Sequence, residues 1–209
     1  MNYSYKKRII ALVFSILMLL SLFGCKSKIK NMNADEALLL VNGEVIMTVG
    51  EFRHLIAKYS VSHDILGTET IKEEMLFIQQ AELYIMAYTA AQAGLTVEYN
   101  QLEEEFENHM TEIQDTDVYG NQLLYSVTLQ EALVMDDAAY KEWTIAQSLK
   151  EYQADALLQD IASVYANVKD GEVMREYLQQ HLMHLTSFYN IEIRYPGVNS
   201  KDLTFETHL

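Results

Sequence analysis

The apolar positions of this chain follow no single period. Ile9 to Phe23 is one continuous greasy run, interrupted only by Ser15 and Ser21. Lys26 to Asn33 is polar. Two short β-prone runs follow, Leu38 to Val41 and Val45 to Met47, on either side of Asn42-Gly43. An Asn-Gly pair accepts the positive φ angles of a tight turn, so a hairpin is predicted there. Thr48 with Glu51 forms a capping box, which predicts a helix from Val49. Phe52, Leu55, Ile56 and Tyr59 recur at helical spacing and give it a buried face.

Ile71 to Ala93 contains no proline or glycine and is apolar over much of its surface, which predicts a long central helix stopped by Gly94. Asn100 with Glu103 three residues on predicts the cap of the next helix. Glu103, Glu104 and Glu105 then suit the positive end of its dipole. Asp115 to Ser126, with Gly120, reads as a loop, and Thr128 with Glu131 as a further capping box. Asp136 precedes an unbroken stretch to about Val168, read as one long helix. Asp170-Gly171 breaks it, and Glu172 to Phe188 reads as another helix. Ile191, Ile193 and Tyr195 alternate with polar residues and stop at Pro196, the only proline, as a short strand does. The fold class expected is mostly α, with a small hairpin joined by a C-terminal strand.

The greasy run is 15 residues long and follows Lys6, Lys7 and Arg8. A membrane-crossing helix needs ~20 apolar residues. A basic head, a short apolar middle and the small Gly24 match a secretory signal instead. The only cysteine, Cys25, closes it. A lone thiol makes no internal staple. "LFGC" resembles a bacterial lipobox through Leu22, Gly24 and Cys25, with Phe23 departing from it. The resemblance implies lipid attachment at Cys25 and a location on the outer face of the bacterial cell membrane. The alternative is an uncleaved anchor with an incidental cysteine.

Removing residues 1–24 takes away three cations and no anions, leaving 12 Lys+Arg against 30 Asp+Glu. Such a chain is repelled by nucleic acid and by anionic headgroups. Membrane contact is therefore expected through acyl chains. Half of the residues are apolar, and the length suits one domain.

Chemical motifs are sparse. Asp115, Asp117 and Gly120 occupy positions one, three and six of a calcium loop, but Tyr119 and Ser126 stand where an oxygen donor and a glutamate are needed. His181 and His184 share a helix face, yet a zinc site needs a third ligand, which Glu176 or His109 would have to supply through the fold. No metal and no cofactor are expected. Glu103, Glu104, Glu105 and Glu107 read as a solvated face or as a patch for basic clients. There is no nucleophile elbow and no phosphate-binding glycine loop. Ten methionines and 14 tyrosines are enough to supply adaptable apolar surface as well as core.

"LLLVNGEVIMTVGEF" resembles the opening of the N-terminal domain in the SurA and PrsA family of extracytoplasmic chaperones. Val41, Asn42, Gly43, Ile46, Thr48, Glu51 and Phe52 carry the match, with one residue of slippage at Ile46-Met47. Ala90, Gly94, Leu95, Val97, Asn100 and Glu103 resemble the family's long helix and its successor. "YLQQHLMHLTSFYNIEIRY" resembles its closing helix and strand. The parvulin prolyl-isomerase domain of PrsA-type foldases has no room here, because three residues separate Val168 from Glu172. The resemblance thus implies a non-catalytic chaperone module that binds unfolded polypeptides, with Met75, Tyr88, Phe106, Met110, Tyr140 and Trp143 as candidate client contacts. A structural or assembly lipoprotein with one fixed partner is the alternative. The organisation expected is a signal at 1–24, a tether at 25–36, a helical domain at 37–196 and a loose tail at 197–209.

Overall fold

The structure, a computed structural model, describes residues 27–114 and 116–206, without the side chains of Thr116 and Asp117. It divides into two units, Met1–Asn31 and Met32–Leu209. In the described part of the first, residues 27–30 form a turn closed by the Lys30 N–H on the Ser27 carbonyl, at 3.2 Å.

The second unit is mostly α, as the pattern implies. Strand β1 (Ala37–Val41) turns at Asn42 and Gly43, whose φ angles are 54° and 84°, into β2 (Glu44–Thr48). Six helices follow among the described residues: α1 (Val49–Leu66), α2 (Glu73–Gln92), α3 (Tyr99–Glu112), α4 (Thr116–Leu133), α5 (Asp137–Val164) and α6 (Gly171–Thr186). Strand β3 (Ile191–Ile193) then returns to the hairpin. The sheet is antiparallel, with order β2-β1-β3. Leu39 pairs with Met47 and Leu40 with Val45, so Ile46 bulges out of the ladder. The slippage at Ile46-Met47 sits at this bulge.

Local chemistry sets several boundaries. Thr48 accepts from the Glu51 N–H at 3.2 Å, and Glu51 accepts from the Thr48 N–H at 2.8 Å, so the capping box starts α1 where the sequence placed it. Asp136 accepts from the Ala139 N–H at 2.8 Å and starts α5. Asp170 caps α6 through Glu172 and Val173. The cap expected at Asn100 is not formed. Asn100 lies inside the first turn of α3, and Glu98 takes the cap position without a side-chain bond.

Two expectations about irregular segments are corrected. The stretch expected to loop is α4, bent at Tyr119 (φ −116°, ψ 22°), and Thr128 lies within it. Leu129 and Leu133 recur at one face and pack against Val61 and Tyr140, and that burial outweighs the weak helix preference around Gly120. Helix α4 stops at Val134, a valine at φ 56°. A branched side chain in this left-handed region carries a cost of ~1–2 kcal/mol.

The second correction concerns residues 197–206, which are not a loose tail. Val198, Leu203 and Phe205 are buried, and a short 3₁₀ turn spans Ser200–Asp202. Nor is all of 25–36 a tether. The Val49 N–H reaches the Glu36 carbonyl at 2.9 Å, and the Gly50 N–H reaches Ala34 at 2.8 Å. A Cβ on Gly50 would sit 3.2 Å from that carbonyl oxygen, so a side chain is poorly accommodated there.

The core has two centres. Beneath the sheet, Phe52, Phe77 and Tyr195 form an aromatic cluster. Phe77 and Tyr195 stack at 4.4 Å, and Phe52 meets both rings edge-on. The other centre holds Val61, Leu129, Leu133 and Tyr140, between α1, α4 and α5. Helices α2 and α5 pack against each other through the middle of the unit.

Candidate functional site

The second core centre opens into a cleft of about 370 Å³ between α1, α3, α4 and α5. Each helix contributes one face. Phe106, His109 and Met110 come from α3 at three- and four-residue spacing. Helix α5 supplies Tyr140, Trp143, Gln147 and Glu151 by the same rule, and α4 supplies Gln122, Tyr125 and Leu129. Lys58 and Leu66 of α1 complete the wall.

The floor is aromatic. Phe106 and Tyr140 lie 6.4 Å apart, and Tyr140 is also 6.4 Å from Trp143, with those two ring planes 27° apart. His54 meets Trp143 edge-on at 6.3 Å. Burial holds the His54 imidazole below its ordinary pKa, and the nearby Glu51 charge works the other way. Burial also pushes the Tyr125 hydroxyl up to about 12, helped by Tyr140, Glu151 and Tyr59. The Trp143 indole N–H is buried and has no acceptor among the described residues.

The polar wall holds one lysine and one glutamate, Lys58 and Glu151, and the lysines on α1 and α5 are engaged. Lys58 bridges to Glu151 at 3.2 Å. Lys141 holds Glu103 and Glu107, each at 2.7 Å, and Tyr152 donates to Glu105 at 2.9 Å. The acidic run of α3 is therefore partly tied to α5 rather than wholly solvated. Lys150 lies under α2, 4.4 Å from the centre of the Tyr84 ring and 3.9 Å from Glu51. Burial lowers the pKa of its ammonium, against the pull of Glu51.

Of the six residues singled out by sequence, Phe106, Met110, Tyr140 and Trp143 meet in this cleft. Met75 and Tyr88 do not. Met75 is exposed near the start of α2, and Tyr88 packs edge-on against Tyr189 at 5.6 Å. Cys25 lies outside the described residues, as does Asp115. His181 is hydrogen-bonded to the Tyr165 hydroxyl at 3.0 Å, and His184 faces Phe188. No group of three or more His, Cys, Asp or Glu side chains suited to a metal occurs among the described residues. The α4 wall is concealed in the sequence by Gly120 and the acidic residues before it, which give its segment the look of a loop. The recurrence of Gln122, Tyr125, Ser126 and Leu129 at helical spacing was the available signal.

A second cavity of about 370 Å³ lies beside β3, walled by Met183, Tyr189, Ile191, Leu203 and Phe205. No protein-family model, curated protein or solved structure matches the chain.

Proposed function

We propose that this protein is a lipid-anchored, extracytoplasmic chaperone-like module that holds unfolded polypeptide segments without isomerising them. The single observation carrying the reading is the aromatic cleft that gathers Phe106, Met110, Tyr140 and Trp143 from two helices distant in sequence. Ring faces and a flexible thioether provide adaptable, weakly selective contact, which suits clients of varied sequence. The SurA- and PrsA-like order of hairpin, helices and closing strand supports it. The connection from α5 to α6 is only the short segment Tyr165 to Asp170, a poor fit to an inserted parvulin domain.

Purified full-length chain in non-ionic detergent should suppress the aggregation of an unrelated denatured protein at near-stoichiometric amounts. It should leave unchanged the slow, proline-limited phase of a refolding reaction, which lasts tens of seconds or more uncatalysed. An accelerated slow phase would refute the non-catalytic reading. Failure to retain any denatured client, with tight binding of one folded partner, would instead favour the assembly alternative. The anchor is tested separately. Cys25→Ser should leave the chain uncleaved or released and without the mass added by acylation; unchanged partitioning and mass would remove the anchor.

A further inference from the structure

We infer that the cleft between α1, α3, α4 and α5 selects segments with an apolar or aromatic centre flanked by lysine or arginine. This rests on the client-holding reading above and narrows it to one chemistry.

Size comes first. Ligand-sized pockets occupy ~300–1,000 Å³. A cleft of about 370 Å³ takes a short run of side chains, not a folded surface. Its floor of Phe106, Met110, Tyr140 and Trp143 rewards apolar contact. The buried Trp143 indole N–H lacks an acceptor. A donor left unpaired is costly, and a polypeptide brings a carbonyl at every residue. A carbonyl of a bound segment has the chemistry to accept from this donor.

Charge decides the flanks. The four helices carry fourteen carboxylates and four basic side chains. Each of the four is already committed. Arg53 donates to the Met32 carbonyl at 2.7 Å, Lys58 pairs with Glu151, Lys141 with Glu103 and Glu107, and Lys150 packs on Tyr84 beside Glu51. Asp64, Glu104, Glu112, Glu131 and Glu142 remain exposed on the same helices. A segment with acidic flanks meets like charge and, among the described residues of these four helices, no uncommitted lysine or arginine. A segment with basic flanks meets Glu151 at the wall and the acidic field of the surrounding helices, which raises its encounter rate and residence.

Trp143 is the only tryptophan, so intrinsic emission reports on the cleft directly. The test titrates the full-length chain in non-ionic detergent with three Trp-free peptides that share one Leu/Phe centre and carry Lys, Ser or Glu flanks. The Lys-flanked peptide should shift the emission and bind about tenfold tighter than the Glu-flanked one at low salt. Raising salt to ~0.5 M should close most of that gap, because screening then acts within a few ångströms. Met110→Gln should weaken all three peptides several-fold. Glu151→Lys, which reverses the one carboxylate in the wall, should narrow the charge preference. Equal affinities for the three peptides, or a preference untouched by Glu151→Lys, would overturn the selectivity and leave client holding intact. Peptides that never perturb Trp143, while aggregation is still suppressed, would place capture elsewhere and overturn this site. If aggregation is not suppressed either, the client-holding reading itself fails.

Discussion

Truncation after Tyr189 should abolish cooperative folding of the helical unit. The lost segment contains β3, whose pairing covers Leu39 to Val41 of the central strand. The Arg194 N–H reaches the Leu38 carbonyl at 2.8 Å, and the Asn42 N–H reaches the Asn190 carbonyl at 2.9 Å. Without β3 the sheet becomes a lone hairpin, which is marginal in water. Burial is the larger loss. Tyr195 leaves the aromatic cluster with Phe52 and Phe77, and Val198, Leu203 and Phe205 leave their buried sites. Emptying a buried aromatic site costs ~3–5 kcal/mol and a leucine site ~2–5 kcal/mol. Together these reach on the order of 10 kcal/mol, comparable with a typical total stability of ~5–15 kcal/mol. Thermal melting followed by near-ultraviolet circular dichroism should lose its sigmoidal transition. A sharp transition at an unaltered midpoint would show that the end segment does not hold the unit together. Truncation after Tyr195 should lower the midpoint while leaving a transition.

Glu82→Ala should be the most damaging single polar substitution in the unit. Glu82 lies in the middle of α2 with none of its surface exposed. One carboxyl oxygen, Oε1, accepts the backbone N–H groups of Thr204 and Phe205, each at 2.7 Å. Gln179 secures the same segment from α6 by donating to the Thr204 carbonyl at 2.9 Å. Phe205 stands at φ 59°, a conformation held by these contacts rather than preferred by phenylalanine. Alanine leaves two N–H groups without their acceptor in a closed site, at ~1–3 kcal/mol each. A loss of about 2–5 kcal/mol is expected in denaturant unfolding. Glu82→Gln retains an oxygen and should lose less. The local readout is hydrogen exchange. Thr204 and Phe205 amides should be among the slowest in the C-terminal segment and should become fast in Glu82→Ala. Continued protection in that variant would mean that the backbone is held by something else.

Residues that act on near neighbours were legible in the sequence. The Asn42-Gly43 turn and the Thr48/Glu51 box each depend on atoms within a few positions, and each stands where the pattern put it; the helices expected after Asp136 and Asp170-Gly171 also start there. Apart from the Asn100 cap, displaced because α3 starts at Tyr99, what failed was decided at long range. Nothing local distinguishes Glu82 from a surface glutamate, since its partners are more than 120 residues away. Leu203 and Phe205 sit in a polar stretch without periodicity, so their burial had no signature. Helix α4 was hidden by Gly120 and the acidic residues before it, and only packing against α1 and α5 makes it helical. The candidate site shows the same division. Spacing puts Phe106 with Met110, and Tyr140 with Trp143, on common faces. It does not reveal that α3 and α5 meet, or that Met75 and Tyr88 point elsewhere.

The strand order β2-β1-β3 also governs when the protein can become itself. The Asn190 N–H closes on the Asn42 side chain across 148 positions of sequence. A chain emerging N-terminus first, from a ribosome or through a channel, presents the hairpin long before its third strand exists. Closure of so long a loop is slow, and it must wait for β3 itself. Until then the hairpin lacks its neighbour and the Phe52–Phe77 pair lacks its Tyr195 lid. The sheet and its aromatic cluster are thereby the last parts of the unit to be completed, whatever the helices do before.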